Sequence, residues 1–209
     1  MDRFAICFQQ LKFVNGGLPL PTQGELLPGH GKGPLADQVE EKGTDEFLPA
    51  EAPLAVNNWL FLAREGFYDG LLFHRVDPGF VIQGGDPEGT GAGGPGYNLP
   101  AEFNADNPVP HRVGTLAMAR RGDSVDSAGS QFYIVLEDSS AASALNGQYT
   151  VFGHVYEGMD VVRAVEKDDE ILSVTIEEKP IAERVVGPDD IRAGNLPAGV
   201  AEAAEEAAE

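Results

Sequence analysis

Residues 71–85 contain two short apolar runs on either side of an Asp-Pro-Gly turn, a pattern that predicts a β-hairpin. A charged Arg75 lies in the first run and a polar Gln83 in the second. Because strand residues alternate between faces, we expect Phe73 and Arg75 on one face and Val81 and Gln83 on another. A guanidinium and an amide in a buried hairpin need polar partners, whereas an edge hairpin would leave both solvated. The fragment alone fits both interpretations.

The rest of the chain predicts a mainly β protein with two helices. One helix is expected over 53–65, because Pro53 suits a first helical position, Val56 and Leu60 share a stripe, and Gly66 provides a stop. The other predicted elements are strands at 4–14, 71–76, 79–84, 113–119, 130–136, 149–156 and 171–176, and a helix at about 158–166. Many short strands with two helices favour a closed sheet with helices at its ends.

Length and charge limit the classes of protein. The 209 residues suit one domain, which we place at 1–180, with an irregular insertion over 15–50. A flexible acidic tail is expected over 187–209, because its Ala/Glu pattern offers no apolar stripe to bury. The net charge of −20 argues against nucleic-acid and anionic-membrane partners. With no membrane-length apolar run and no secretory leader pattern, we expect a cytoplasmic protein.

A glycine-rich segment at 84–96 contains a formal dinucleotide-binding pattern at Gly89, Gly91 and Gly94. Such a fingerprint must lead from a strand directly into a helix, but Pro95 follows and no helical pattern appears. We therefore predict a wrapped loop whose backbone passes close to a neighbouring groove, with nucleotide binding as the minor alternative.

No metal site is predicted from the sequence. The histidines lack the close pairing of metal ligands and are interpreted as structural or surface residues: His30, His74, His111 and His154. Cys7 is the only cysteine, which excludes an intrachain disulfide and a cysteine-based zinc cluster.

The run 129–134 places an amide and an aromatic ring together. Gln131 and Tyr133 share one strand face, while Phe132 and Ile134 take the other and can serve as core. This combination is typical of the wall of a small apolar pocket with one polar handle.

Taken together, these stretches resemble the cyclophilin family of peptidyl-prolyl cis–trans isomerases, in particular its bacterial-type members. The resemblance runs from about Ala52 to Ile176 in matching order and spacing. The matching motifs are Phe73-His74-Arg75-Val76, Pro78 to Asp86, the glycine-rich 89–96, Gly114 to Ala119, Gly129 to Ile134 and Val151-Phe152-Gly153.

The resemblance implies a closed eight-stranded antiparallel barrel capped by two α-helices, with the active groove on its outer surface. It implies a catalytic group of Arg75, Phe80 and Gln83, and an isomerase that rotates X–Pro bonds without cofactor or metal. The implied substrate-binding residues are Val81, Ala119, Arg120, Gln131, Tyr133, Leu145 and Tyr149. The expected partners are proline-containing peptides or unfolded protein segments, bound by a monomer that assists folding. The alternative is a catalytically weak peptide-binding module.

The chain also departs from the family pattern. Val81 stands where methionine is common, which loosens the expected pocket, and Ala144 stands where many eukaryotic members have a tryptophan that contacts cyclosporin. We therefore expect weak cyclosporin binding. Arg120 and Arg121 are unusual beside the groove and favour acidic peptide segments. The family's opening strand pair is not clearly matched within 1–50, so the sequence does not predict how the barrel closes there.

Overall fold

The computed structural model describes residues 5–8, 43–48, 50–106, 108–174 and 176. Side chains are described throughout these ranges except at 5–8, 43–46 and 156–157. Most of the predicted 15–50 insertion, the side chain of Cys7, His30 and the 187–209 tail therefore lie outside the described residues.

The described chain is mainly β with three helices. The strands are β1 Ala5–Phe8, β2 Gly43–Phe47, β3 Arg75–Asp77, β4 Val81–Gly84, β5 Thr115–Met118, β6 Phe132–Val135 and β7 Val151–Glu157; the helices are α1 Pro53–Arg64, α2 Ser140–Ser143 and α3 Met159–Ala164. All pairings are antiparallel, in the order β1-β2-β7-β5-β6-β4-β3. Among the described residues, no ladder joins the two edge strands, β1 and β3.

The prediction of a last strand over 171–176 is wrong. The backbone of 171–174 forms no strand, although Ile171 is buried in the core. Instead, the preceding residues 168–171 lie antiparallel to 70–73, with an isolated bridge between Leu72 and Glu170. Backbone hydrogen bonds of 2.7–2.9 Å connect the two segments. Both predicted helices are confirmed, as α1 and α3, whereas the four-residue α2 was not predicted.

Helix α1 takes its N-terminal cap from a distant part of the chain. Proline occupies the first turn and Ala52 offers no capping side chain. The carboxylate of Glu102 instead accepts hydrogen bonds from the backbone N–H groups of Leu54, at 2.9 Å, and Ala55, at 2.8 Å. A negative charge at a helix N-terminus is favourable, because it satisfies free N–H groups and opposes the helix dipole.

The sheet is covered on both faces. Ile82 of β4 and Ile134 of β6 belong to the main core, around the fully buried ring of Trp59. Their neighbours Val81 and Tyr133 belong to a second, smaller cluster on the opposite face. This alternation follows from strand geometry. No helix among the described residues is long and apolar enough to cross a membrane.

Candidate active site

The hairpin of β3 and β4 places the two polar residues of the first motif side by side. Arg75 pairs directly with Gln83 across the ladder, so their side chains lie on the same face. The prediction that Phe73 shares a face with Arg75 is wrong, because β3 begins only at Arg75 and alternation does not extend back to position 73. Phe73 is 1% exposed and packs in the core, whereas the Arg75 side chain is 48% exposed.

Three groups surround the Arg75 guanidinium. Nη1 donates a long hydrogen bond to Gln83 Oε1 at 3.4 Å, and Nη2 contacts Asp77 Oδ2 at 2.8 Å. Cζ lies 5.8 Å from the centre of the Phe80 ring. The Asp77 carboxylate is also about half exposed, so water and salt weaken the ion pair. The guanidinium therefore remains available at the surface beside an aromatic ring.

A cavity of about 160 Å³, which we call the notch, opens beside this guanidinium and is lined by both apolar and polar side chains. Nine of the ten predicted site residues line it: Arg75, Phe80, Val81, Gln83, Ala119, Arg120, Tyr133, Leu145 and Tyr149. Their separation in sequence, from position 75 to position 149, shows how strands β3, β4 and β6, the β3–β4 turn, the end of β5 and the α2–β7 loop converge on one place. The tenth residue, Gln131, lies on the adjoining wall.

Tyr133 forms a buried wall of the notch and is fixed from behind. Its hydroxyl lies 2.8 Å from His111 Nε2, and His111 Nδ1 lies 3.1 Å from Asn146 Oδ1, which also accepts from the His111 backbone N–H. Burial lowers the pKa of His111 to about 4, although the Asn146 hydrogen bond opposes this shift. Burial also raises the pKa of Tyr133 well above its usual value. A neutral His111 thus donates a hydrogen bond through Nδ1 to Asn146 Oδ1 and accepts one at Nε2 from the Tyr133 hydroxyl.

His111 and Asn146 were not among the predicted site residues. Asn146 follows the notch residue Leu145, so His111 connects the walls contributed by β6 and by the loop after α2. The two hydrogen-bonding partners are 35 residues apart, and the pair leaves no local sequence pattern.

Arg120 borders the notch on its far side. Its guanidinium lies 4.5 Å from the centre of the Tyr149 ring, within the range of a cation–π interaction. Nε donates to the Gln148 carbonyl at 3.2 Å and Nη1 to the Arg121 carbonyl at 3.0 Å. The Arg121 side chain pairs with an exposed Asp123 at 3.3 Å. The notch is therefore bordered by positive charge on two sides.

A second cavity of about 430 Å³ adjoins the notch and shares Gln83, Ala119 and Arg120 with it. Gln131 lies between the two cavities: its Oε1 accepts from Gln83 Nε2 at 2.9 Å, and its Nε2 donates to the Gly93 carbonyl at 2.9 Å. The notch thus continues into a second cavity along a polar wall.

The glycine-rich segment forms the outer rim of this second cavity. It consists of turns and bends that lead into no helix, so the predicted wrapped loop is confirmed. Gly89, Gly91 and Gly96 adopt positive φ, which explains why glycine occupies these positions. In the described part of the chain, no group of three or more His, Cys, Asp or Glu side chains is placed to hold a metal ion.

The sequence family agrees with this geometry. Residues 44–189 match the family model described as cyclophilin type peptidyl-prolyl cis-trans isomerase/CLD. The chain belongs to the cyclophilin family. A peptidyl-prolyl cis-trans isomerase of Synechococcus elongatus is 49% identical over 140 residues, which cover 65% of this chain and 91% of that protein. Peptidyl-prolyl cis-trans isomerase B of Bacillus subtilis is 48% identical over 132 residues, which cover 63% and 88%.

A solved cyclophilin also has a similar fold. The crystal structure of a cyclophilin type peptidyl-prolyl cis-trans isomerase from Cryptosporidium parvum, determined in the presence of the dipeptide Ala-Pro, superposes with a TM-score of 0.57. It is 30% identical in sequence, and the match covers 66% of this chain and 94% of that one. The cyclophilin fold of this chain, mainly β with a few helices, is therefore established by sequence and by structure.

Proposed function

We propose that this cyclophilin accelerates cis–trans rotation about X–Pro bonds in flexible or unfolded protein segments and thereby assists folding. The observation that carries the proposal is the half-exposed guanidinium of Arg75 at the mouth of a notch walled by Phe80, Tyr133 and Leu145. Its isomerase relatives support the same reaction, and the Ala-Pro dipeptide used with the Cryptosporidium parvum protein supports a proline-containing ligand.

The reaction needs no covalent intermediate. Amide resonance holds the X–Pro bond planar with a barrier of about 18–20 kcal/mol. When the bond twists, resonance is lost and the proline nitrogen becomes pyramidal with an available lone pair. A guanidinium that donates to this nitrogen, or to the adjacent carbonyl, stabilises the twisted amide more than either planar form. Arg75 suits this role because a guanidinium presents a rigid, planar fork of hydrogen-bond donors.

The neighbouring residues supply substrate binding. Phe80, Val81, Tyr133, Leu145 and Tyr149 enclose the pyrrolidine ring, so rotation takes place in the acyl part of the substrate. Gln83 braces Arg75 and hydrogen-bonds to the peptide. The remaining peptide contacts come from Gln131 and from the backbone around Ala119 and Arg120.

We also propose that the isomerase domain spans 1–180 and closes as an eight-stranded barrel capped by helices. The pairing of 168–171 with 70–73 supports this arrangement, because it places a further segment beside the residues that lead into the edge strand β3. The flexible acidic tail over 187–209, the cytoplasmic location, the monomeric state and the weak cyclosporin binding stay predictions.

Replacement of Arg75 by alanine tests the reaction. Arg75→Ala is expected to lower kcat/KM about 10²-fold or more, since one preorganised donor to the transition state contributes on this scale. Binding of the X–Pro peptide should weaken much less. NMR exchange measurements on an X–Pro peptide give the rate, and a titration followed by NMR gives the Kd.

Arg112→Ala is the matched control. Arg112 is similarly exposed and pairs with Asp138 at 3.2 Å, but it lies outside the notch, so activity should stay at the wild-type level. Full activity in Arg75→Ala would contradict the mechanism. Peptide binding by the wild type without any rate enhancement would instead indicate a peptide-binding module.

A further inference from the structure

The buried carboxylate of Asp86 organises the glycine-rich loop, residues 86–96. Asp86 is 1% exposed, and its two oxygens accept hydrogen bonds from the backbone N–H groups of Glu88 and Gly91. The N–H of Gly93 also points at this carboxylate. A side chain at position 93 would overlap both the carboxylate and Glu88. Three N–H groups on one buried anion therefore fix the loop from Glu88 to Gly93.

The Asp86 carboxylate is ionised in this environment. Burial raises its pKa, but the hydrogen bonds from Glu88, Gly91 and Gly93 and the nearby His74 together bring the pKa below its ordinary value. If either Asp86 oxygen could no longer accept a hydrogen bond, a backbone N–H of the loop would lose its partner.

From Gly93, a row of side-chain amides, which we call the amide relay, runs to Arg75. The relay consists of the Gly93 carbonyl, Gln131 and Gln83, with donor–acceptor distances of 2.9, 2.9 and 3.4 Å up to the guanidinium. One end is a carbonyl that can only accept, and the other is a guanidinium that can only donate. Each amide therefore has only one orientation in which every donor faces an acceptor. A flip of either amide would place two donors or two acceptors opposite each other.

We propose that Asp86 is a positioning residue for Arg75: it holds the Gly93 carbonyl where the amide relay directs Gln83 Oε1 at the guanidinium. Asp77 attracts the same guanidinium through Nη2, at 2.8 Å. The orientation of the two amides therefore decides whether Gln83 Oε1 competes with Asp77 for the guanidinium and holds it at the notch. This inference rests on the proposed isomerase function and extends it to the glycine-rich loop, none of whose residues lines the notch itself.

The test is a double-mutant cycle between Asp86→Asn and Gln131→Met. Asparagine keeps one acceptor oxygen, but its NH₂ group faces a backbone N–H, so one loop hydrogen bond is lost and the Gly93 carbonyl is no longer held in place. Asp86→Asn is expected to lower kcat about tenfold with little change in KM, because the guanidinium is misplaced while the notch is intact. In the Gln131→Met background the same change should alter kcat less than about twofold, because the relay is already interrupted.

Asp160→Asn makes the same chemical change at an exposed position of α3 and should leave kcat at the wild-type level. Additive effects in the cycle, or wild-type kcat in a folded Asp86→Asn protein, would overturn the proposal. A thermal unfolding curve for each variant establishes that it is folded at the assay temperature.

A second measurement uses the wild-type protein and does not depend on activity or on the stability of a variant. The side-chain amide protons of Gln131 and Gln83 should show hydrogen-bonded chemical shifts and slowed exchange with water. Freely exchanging amides would overturn the relay even if the protein is an active isomerase. An inactive wild type with protected amides would instead overturn the proposed function and leave the relay in place.

Discussion

Tyr133 shows how one residue serves both packing and binding. Its ring lines the notch, whereas its hydroxyl is directed away from it to the buried His111. A phenylalanine would keep the apolar wall but leave His111 Nε2 without its donor. The hydroxyl therefore contributes to the rigidity of the wall rather than to contact with the substrate.

At this scale we predict that Tyr133→Phe lowers the free energy of unfolding by about 1–3 kcal/mol, since a buried acceptor loses its partner. Urea unfolding curves measure the change. Tyr149→Phe removes a hydroxyl from a partly exposed ring of the same notch and should change stability by less than about 0.5 kcal/mol. Equal effects of the two substitutions would contradict the role given to His111.

At the scale of elements, the segment 168–171 holds the chain that leads into the β3–β4 hairpin. It pairs with 70–73, immediately before Arg75, and Ile171 anchors it in the core with 1% exposure. The short strand β3 is bonded to β4 on one side only, so this preceding contact helps to fix where the hairpin begins.

We expect Ile171→Ala to destabilise the protein by about 2–5 kcal/mol, because it leaves a cavity in a close-packed core. The comparison is Val125→Ala, at a valine that is 46% exposed, where little change is expected. The difference between the two variants in urea midpoint measures the effect. A shift for Ile171→Ala no larger than that for Val125→Ala would show that this segment is dispensable for stability.

The elements also show which features the sequence could reveal. The periodic stripe and the Pro53 start identified α1, and apolar runs located β4 to β7 to within a few residues. Helix α2 has four small residues and no stripe, so no periodicity signals it. The segment after Ile171 has the apolar composition of a strand, but strand formation depends on a partner that sequence does not specify.

The site was predictable where it depends on short motifs and not where it depends on distant contacts. Arg75, Phe80 and Gln83 belong to one continuous stretch, and their grouping around the notch agrees with the expectation from family resemblance. The roles of Asp86 and His111 depend on hydrogen bonds to loops whose positions are set by the fold as a whole. Neither residue differs locally from an ordinary loop aspartate or core histidine.

At the scale of the whole molecule, two buried histidines make stability depend on pH. Burial lowers the pKa values of His111 and His154 to about 4, against about 6.5 for an unfolded histidine. Between these values the unfolded chain binds more protons than the folded protein. Stability therefore increases with pH in this window and is lost as the pH falls through it.

We expect the free energy of unfolding to decrease from about pH 6.5 toward pH 4, by about 2–3 kcal/mol for each histidine. Urea unfolding at a series of pH values measures the slope. A His154→Gln variant should show a shallower dependence on pH than the wild type. If both proteins show the same slope, the loss of stability has another origin.

The first turn of α1 depends on a residue that is synthesised well after the helix itself. The helix begins at Pro53, but the carboxylate that caps its N-terminus belongs to Glu102, 48 residues beyond Leu54, the first residue whose N–H it binds. During translation, every residue of α1 is therefore added to the chain before its capping residue has been made. The nascent helix must wait for almost fifty more amino acids to be added before its first turn can be secured.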